Sequence, residues 1–455
     1  GYAIGAVMAI VLAIVLTLLP LKMGLLVVGG LLALPFVFYC FADLSFGIIA
    51  IIFIGFFTSF IGKYTTAPIG MAVDGILLII LFSLLVRLVK ERDFTFLKHP
   101  MTYAVLAWIW YNCMLVVNPW AQSYQAWFFT VRTMALYFSL YFVAAYAIND
   151  IKKVKLFFKI IVGLATLSAV YALKQEFIGY SNTEMTWLRS DPLRFQLNYQ
   201  WGRIRTFSFF SDPTTFGILM AYMAMFCAVL AFGAQKRWQK IGLSTAVFCM
   251  FGGIAFAGSR TPVALIPIGI FFYMLMTLKK EVLVGAGIII LLGAAVMMKS
   301  TSNPVLFRLQ SAFQPKDASY QLRLNDQDRI QPYIQSHPFG LGLGCTGMWG
   351  QRFNPGTFLA KFDHNSMYVR IAVEAGYVGL VIYLIMFFII LKTGIQGYLR
   401  SQDPTIKNYY LAIASMLFLL AVANYPQEAA TLPPTSFILY VFMAVLVRMR
   451  DFDVK

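Results

Sequence analysis

Between residues 299 and 365 the chain gathers Arg308, Arg323, Asp326, Asp328, Arg329, His337, Arg352, Asp363 and His364, with apolar segments at 281–298 and 366–391 on either side. Histidine is the side chain whose ordinary pKa suits proton transfer near neutrality. His364 stands in Asp363-His364-Asn365-Ser366, at the mouth of an apolar segment, where it could act in proton transfer. The plainer reading is a helix N-cap supplied by Asp363, Asn365 or Ser366, with His364 incidental. His337 is a second possible base, although His337-Pro338-Phe339-Gly340 reads as a turn. There is no HExxH and no Cys/His ligand set at usable spacing, so no metal site and no cofactor are expected.

A second group of residues suits anion binding. Segment 176–212 holds Glu176, Glu184, Arg189, Asp191, Arg194, Arg203, Arg205 and Asp212, and it ends in Ser211-Asp212-Pro213, a helix-start signal. The guanidinium forks of Arg203 and Arg205 match phosphate oxygens, and they precede the positive end of a helix dipole. The plainer reading pairs them with lipid headgroups or local carboxylates. Ser259-Arg260-Thr261-Pro262 joins two apolar segments with almost no loop between them, which adds a third arginine. Arg132 lies inside an apolar segment and either joins this group or snorkels. Asp74, near the outer end of its span, is a functional candidate by default, but reads better as a structural partner of one of the arginines. Arg370 and Glu374 are four apart on one helical face and are expected to pair.

Gly342-Leu343-Gly344-Cys345-Thr346-Gly347 satisfies GxGxxG formally, but no strand–helix–strand unit surrounds it. It reads as a tight glycine turn.

The elements that must position these groups are set by hydropathy. Mean hydropathy is +0.75 and charged residues make up 12% of 455, about half the usual share. Runs such as 5–19, 46–61 and 282–298 are apolar all round, and about 18 or more such residues cross a bilayer as a helix. Short alternating segments of a barrel are absent from the pattern. The fold class expected is all-α: a polytopic integral membrane protein with about 12–14 transmembrane helices. Fourteen segments qualify, near 2–20, 24–42, 45–62, 69–89, 101–118, 125–148, 156–175, 213–233, 241–258, 261–278, 281–298, 366–391, 408–424 and 433–449. Those at 24–42 and 45–62 are short enough to be re-entrant. The chain reads as a single domain, 1–455, with two extracytoplasmic loop insertions at 176–212 and 299–365.

Formal net charge is +17, yet topology rather than nucleic acid accounts for it. Half of the Lys and Arg residues fall in alternate connections 87–100, 150–155, 235–240, 279–280, 392–407 and the tail. By the positive-inside rule these connections and both termini are cytoplasmic. The opposite connections 63–68, 118–124 and 425–432 hold a single cation, Lys63. Cys345 alone lies in an outside loop, so no intramolecular disulfide is expected there.

The ordered set Arg203/Arg205 before a Pro-started span, Gly258-Ser259-Arg260, Arg323, Ser336-His337-Pro338-Phe339-Gly340-Leu341-Gly342, His364-Asn365-Ser366 and Glu374-Ala375-Gly376-Tyr377-Val378-Gly379 resembles the O-antigen ligase and O-antigen polymerase superfamily of bacterial envelope glycosyltransferases. The resemblance covers about 200–390. It implies an inverting, metal-independent enzyme at the periplasmic face of the bacterial inner membrane. Its partners would be an undecaprenyl-diphosphate-linked glycan donor, a lipid A–core or other glycan acceptor, and membrane lipids. It further implies His364 as catalytic base, Arg203, Arg205 and Arg260 at the donor diphosphate, and Arg323, His337 and Asn365 as substrate-binding residues. A polysaccharide polymerase or a protein O-oligosaccharyltransferase is the alternative. A lipid-linked glycan transporter fits less well, because polar groups cluster at one face rather than at midplane.

Overall fold

In the computed structural model, residues 21–65, 69–200, 202–278, 284–285, 287, 291, 318–362 and 365–453 are described. The protein is an all-α polytopic membrane protein, and ten helices among the described residues are long and apolar enough to cross a bilayer. The expected segments at 2–20 and 281–298 lie largely or wholly outside the described residues.

The helices are α1 (Leu21–Ala42), α2 (Leu44–Ile61), α3 (Ile69–Glu91), α4 (Pro100–Met114), α5 (Tyr124–Ala147) and α6 (Ile151–Phe177). Two short helices follow, α7 (Asn182–Arg189) and α8 (Pro192–Asn198), and then a two-residue-per-strand hairpin of β1 (Tyr199–Gln200) and β2 (Arg203–Ile204). Next come α9 (Pro213–Phe232), α10 (Arg237–Ala257) and α11 (Arg260–Thr277). The long loop contributes α12 (Ala318–Ser336), α13 (Gly347–Phe353) and α14 (Phe358–Lys361). The chain closes with α15 (Met367–Arg400), α16 (Pro404–Ala423) and α17 (Thr435–Arg448). The 14-residue α17 is shorter than the span expected there but is buried along nearly its whole length.

Starts are written locally. Asp43, Ser123, Asp150, Asp212, Ser366 and Asp403 each cap a helix through a side-chain oxygen, which satisfies amides that hydrocarbon could not. Pro opens α4, α9 and α16, where its missing N–H costs nothing.

The core is built on α9, which packs against α10, α11 and α16, while α17 packs on α5 and α15 on α4 and α16. Phe38, Phe53, Leu78, Phe82, Phe248, Phe271 and Phe388 are exposed. A helix apolar on all sides suits a lipid-facing surface as well as a core.

The bundle has two chemically distinct ends. At the basic end Arg448 donates to the Ile148 carbonyl at 2.9 Å and pairs with Asp451 at 2.7 Å, and Tyr146 donates to Glu91 at 2.5 Å. At the loop end Lys63 donates to the Ser208 carbonyl at 3.1 Å, Asn118 to the Gly340 carbonyl at 2.9 Å, and the Met367 amide to the Asn424 carbonyl at 3.0 Å. The described parts of the two insertions and of the short connections thus lie at one end of the bundle.

Candidate active site

The first cluster is a strap, residues 199–212, laid over the end of the α9–α11 bundle. Tyr199 pairs with Ile204 and Gln200 with Arg203 across the hairpin. Arg203 leaves it half-buried, paired with Glu176 at 2.5 Å and lying 5.8 Å from the Phe256 ring. Arg205 turns inward and is buried. Its Nε donates to the Ala257 carbonyl at 3.0 Å, Nη1 to the Leu197 carbonyl at 3.3 Å, and Nη2 to the hydroxyls of Thr214 and Ser259. Burial draws the Arg205 pKa down and Asp212 opposes that shift; a guanidinium starts so high that it stays charged.

What Arg205 holds is the turn between α10 and α11. Gly258 ends α10 in the left-handed region at φ 57°, where a side chain would be strained. Ser259 follows, bonded to Thr214 at 2.8 Å, and Arg260 opens α11. The Thr206 amide donates to the Phe256 carbonyl at 3.2 Å. Two segments about fifty residues apart are thereby stitched together, and Arg203, Arg205 and Arg260 share one corner of the loop end.

The second cluster surrounds a break in α15. Gly376 has φ 72° and ψ −174°, which interrupts the helix and releases its carbonyls. In a membrane protein these must find donors. The Leu341 amide donates to the Val373 carbonyl at 2.8 Å, the Gly342 amide to Glu374 at 3.2 Å, and the Tyr111 hydroxyl to Ala375 at 2.6 Å. The glycine turn is therefore the plug of a broken helix. Gly340, Gly342, Gly344 and Gly347 all have positive φ, as a tight turn requires. Asn118 ties the same turn through the Phe339 and Gly340 carbonyls, at 3.1 and 2.9 Å.

His337 sits at the lip of this turn, half-buried, with Nδ1 within 2.9 Å of Ser336 Oγ and 3.0 Å of the Tyr333 carbonyl. Its ring meets Trp120 edge-on at 5.2 Å. Asn365 has φ 46°, and Ser366 is the cap of α15. His364, with Asp363, lies outside the described residues, as does the side chain of Arg323. Arg370 pairs with Glu374 as expected, at 3.2 Å, and also with Glu428 at 2.7 Å. Asp74 pairs with Arg132 at 3.1 Å, so both carboxylates are structural partners of arginines. α16 connects the clusters: α9 and α11 pack along it, and its C-cap Asn424 receives the start of α15.

Asn118 and Glu428 were not singled out from sequence. An isolated polar residue in a short connection gives no sign of its partner, 222 residues away for Asn118 and 58 for Glu428. Among the described residues no group of three or more His, Cys, Asp or Glu side chains could hold a metal ion.

Residues 245–384 match the family model described as O-antigen ligase. The match takes in the turn at Arg260, the long loop with His337 and His364, and α15 through its break, while the strap with Arg203 and Arg205 lies before it. No curated protein matches the chain. Over residues 245–384 this chain is similar to the O-antigen ligase family, in keeping with the ordered motifs that resemble the ligase and polymerase superfamily.

Proposed function

We propose that the protein transfers a glycan from undecaprenyl diphosphate to a sugar hydroxyl of lipid A–core, at the loop end, which faces the periplasm. The orientation is supported by the basic connections clustering at the opposite end. The observation that carries the reading is the stitched corner of Arg203, Arg205 and Arg260. Charge grows on a diphosphate as it departs, and fixed cationic donors at a partly dehydrated interface stabilise that charge.

In this reading Arg203 and Arg260 face the diphosphate, while Arg205, its donors engaged within the protein, holds the turn that presents Arg260. His364 takes the proton from the acceptor hydroxyl. The acceptor oxygen attacks the anomeric carbon, the bond from that carbon to the phosphate oxygen breaks, and undecaprenyl diphosphate leaves with the electron pair. Configuration inverts, and neither metal nor nucleotide takes part. Arg323, His337 and Asn365 line the approach of the saccharide.

Product analysis tests this with purified protein and a lipid-linked donor. Glycan on lipid A–core supports ligation. A ladder of longer lipid-linked chains identifies a polymerase, the second reading, which the shared superfamily keeps open. Glycan on a protein acceptor identifies an oligosaccharyltransferase, and no transfer to any acceptor overturns the assignment.

A further inference from the structure

Lys63 is the single cation of the short loop-end connections, and it is buried although it follows directly on α2. Its ammonium lies 4.2 Å from the Phe207 ring centre, 5.2 Å from Trp187 and 5.9 Å from Phe60. Inside this aromatic cage it donates to the carbonyl of Ser208 at 3.1 Å. Ser208 is a non-glycine residue at φ 51°, a conformation that persists only when its surroundings over-determine it. Here they do. Gln175 Oε1 accepts from the Phe207 and Ser208 amides at 3.3 and 2.8 Å, and Ser208 Oγ donates to the Ser168 carbonyl at 2.6 Å. Gln175 is held in turn by Glu184, at 2.7 Å.

Ser208 stands three residues after Arg205, inside the strap. We infer that Lys63 is a positioning residue for the arginine strap: held among Phe207, Trp187 and Phe60, its amine fixes the Ser208 carbonyl, with Gln175 Nε2 beside it at 3.4 Å, and so helps keep the strap, and its hold on a diphosphate, in place. The anion part of this inference rests on the function proposed above; the placement of the strap does not. Nothing in the matched family region includes Lys63 or Ser208.

Glu184 of α7 acts on the ammonium directly. Tyr64 and Tyr171 pack on the Phe60 ring and Tyr180 on Phe207, Lys174 lies over Tyr171, and Arg194 of α8 lies 4.3 Å from the Trp187 ring. Burial holds the Tyr180 phenol above its usual value, so it stays neutral near pH 7. Lys174 is committed to the Gly179 carbonyl at 2.8 Å. Burial lowers Lys63 to about 7, with Glu184 opposing the shift. The placed strap is what desolvates the amine, so a state with Lys63 in water binds more protons between that value and the ordinary lysine value, and linkage favours the placed strap as pH rises. Strap order is therefore expected to rise as pH passes through about 7, with the neutral amine still donating to the Ser208 carbonyl.

The test uses the full-length protein in detergent between pH 6 and 8.5, with inorganic pyrophosphate as probe. Trp187 emission, isolated by subtracting the Trp187→Phe variant, should titrate near neutrality in wild type and stay flat in Lys63→Gln. Hydrogen-exchange protection at 206–210, taken relative to the intrinsic rate at each pH, should rise over the same interval. Lys63→Gln, whose shorter side chain gives up the bond to the Ser208 carbonyl, should weaken pyrophosphate binding about tenfold at pH 8, whereas Lys63→Arg, which keeps a donor there, should keep affinity. Comparing variants at each pH cancels the probe's own titration. A Trp187 signal that is pH-invariant in wild type overturns the proposal, and needs no variant to fold. Parallel binding curves for wild type and Lys63→Gln overturn it too. If pyrophosphate fails to bind while the Trp187 and exchange titrations persist, the diphosphate reading falls and Lys63's role in placing the strap stands.

Discussion

Thr346 donates its hydroxyl to Glu374 at 2.5 Å, and that bond joins the glycine turn of the long loop to the first half of the broken helix α15. The same carboxylate receives Arg370, whose other arm reaches Glu428 ahead of α17. One acidic side chain thus ties loop to helix, and through Arg370 to the connection between α16 and α17.

Glu374→Ala would leave Arg370 short of a partner and Thr346 without its acceptor. Removing one member of a buried charged set is costly, here about 3 kcal/mol. Glu374→Gln, which keeps an acceptor for Thr346, should lose less. Thermal unfolding in detergent provides the check; equal melting temperatures for the two variants and wild type would show that the network carries no weight.

Arg203 and Arg205 should separate by kind of defect. Arg205→Lys cannot reproduce the fork that reaches Ala257, Leu197, Thr214 and Ser259, so both stability and transfer should suffer, stability by about 2 kcal/mol. Arg203→Gln breaks a partly exposed pair, and stability should move by less than about 1 kcal/mol. Transfer should nonetheless drop about a hundredfold if Arg203 stabilises the leaving group. Melting and turnover measured side by side decide it, and a stability loss for Arg203→Gln as large as that for Arg205→Lys would merge the two roles.

Gly376→Ala places a Cβ against the Pro338 carbonyl at φ 72°. Strain at a positive φ together with displacement of the plug should cost about 3 kcal/mol or more. Poor yield, or melting well below wild type, is the expected result. A fully stable Gly376→Ala protein would mean that the break in α15 is not required.

The two loop histidines should behave differently. His364→Ala should reduce transfer by about 10²–10⁴-fold, the usual contribution of a general base, with membrane insertion intact. His337 has one ring nitrogen engaged with Ser336 and Tyr333, and His337→Ala should cost less than about tenfold. A reversed ranking in a membrane transfer assay would move the base to His337. EDTA should leave the rate of wild type unchanged, and inhibition reversed by added divalent cation would sink the metal-free mechanism.

Much of this molecule was legible because lipid reads composition. A segment apolar on every side has few options in water or membrane, so most spans from 44 to 277 and from 367 to 423 fall within about five residues of their expected places, while α15 runs on to Arg400, nine residues past the expected end at 391. Helix starts were legible for the same local reason. The Ser211-Asp212-Pro213 signal gives Asp212 as the cap and Pro213 at the first turn. The Arg370–Glu374 pair followed from helical spacing alone.

The site was legible as a set of residues but not as an arrangement. Arg203 and Arg205 look equivalent in sequence, yet one reaches Glu176 and the other is consumed in holding a turn fifty residues on. GxGxxG could be read as a turn, but its job of plugging the carbonyls freed at Gly376 depends on a helix that begins twenty residues later. Lys63 stood out only as a stray charge, and its cage is assembled from α2, α7 and the strap.

Sequence by itself determined the solvent, the class of fold, the end of the bundle where the polar groups gather and the family that its ordered motifs resemble. These depend on hydropathy, charge and local caps, each written within a few residues. Only the tertiary structure decided which arginine is buried, which carbonyls need donors and which lysine is caged. Those outcomes follow from pairing polar groups far apart in the chain, where desolvation makes every bond at the loop end depend on its distant partner.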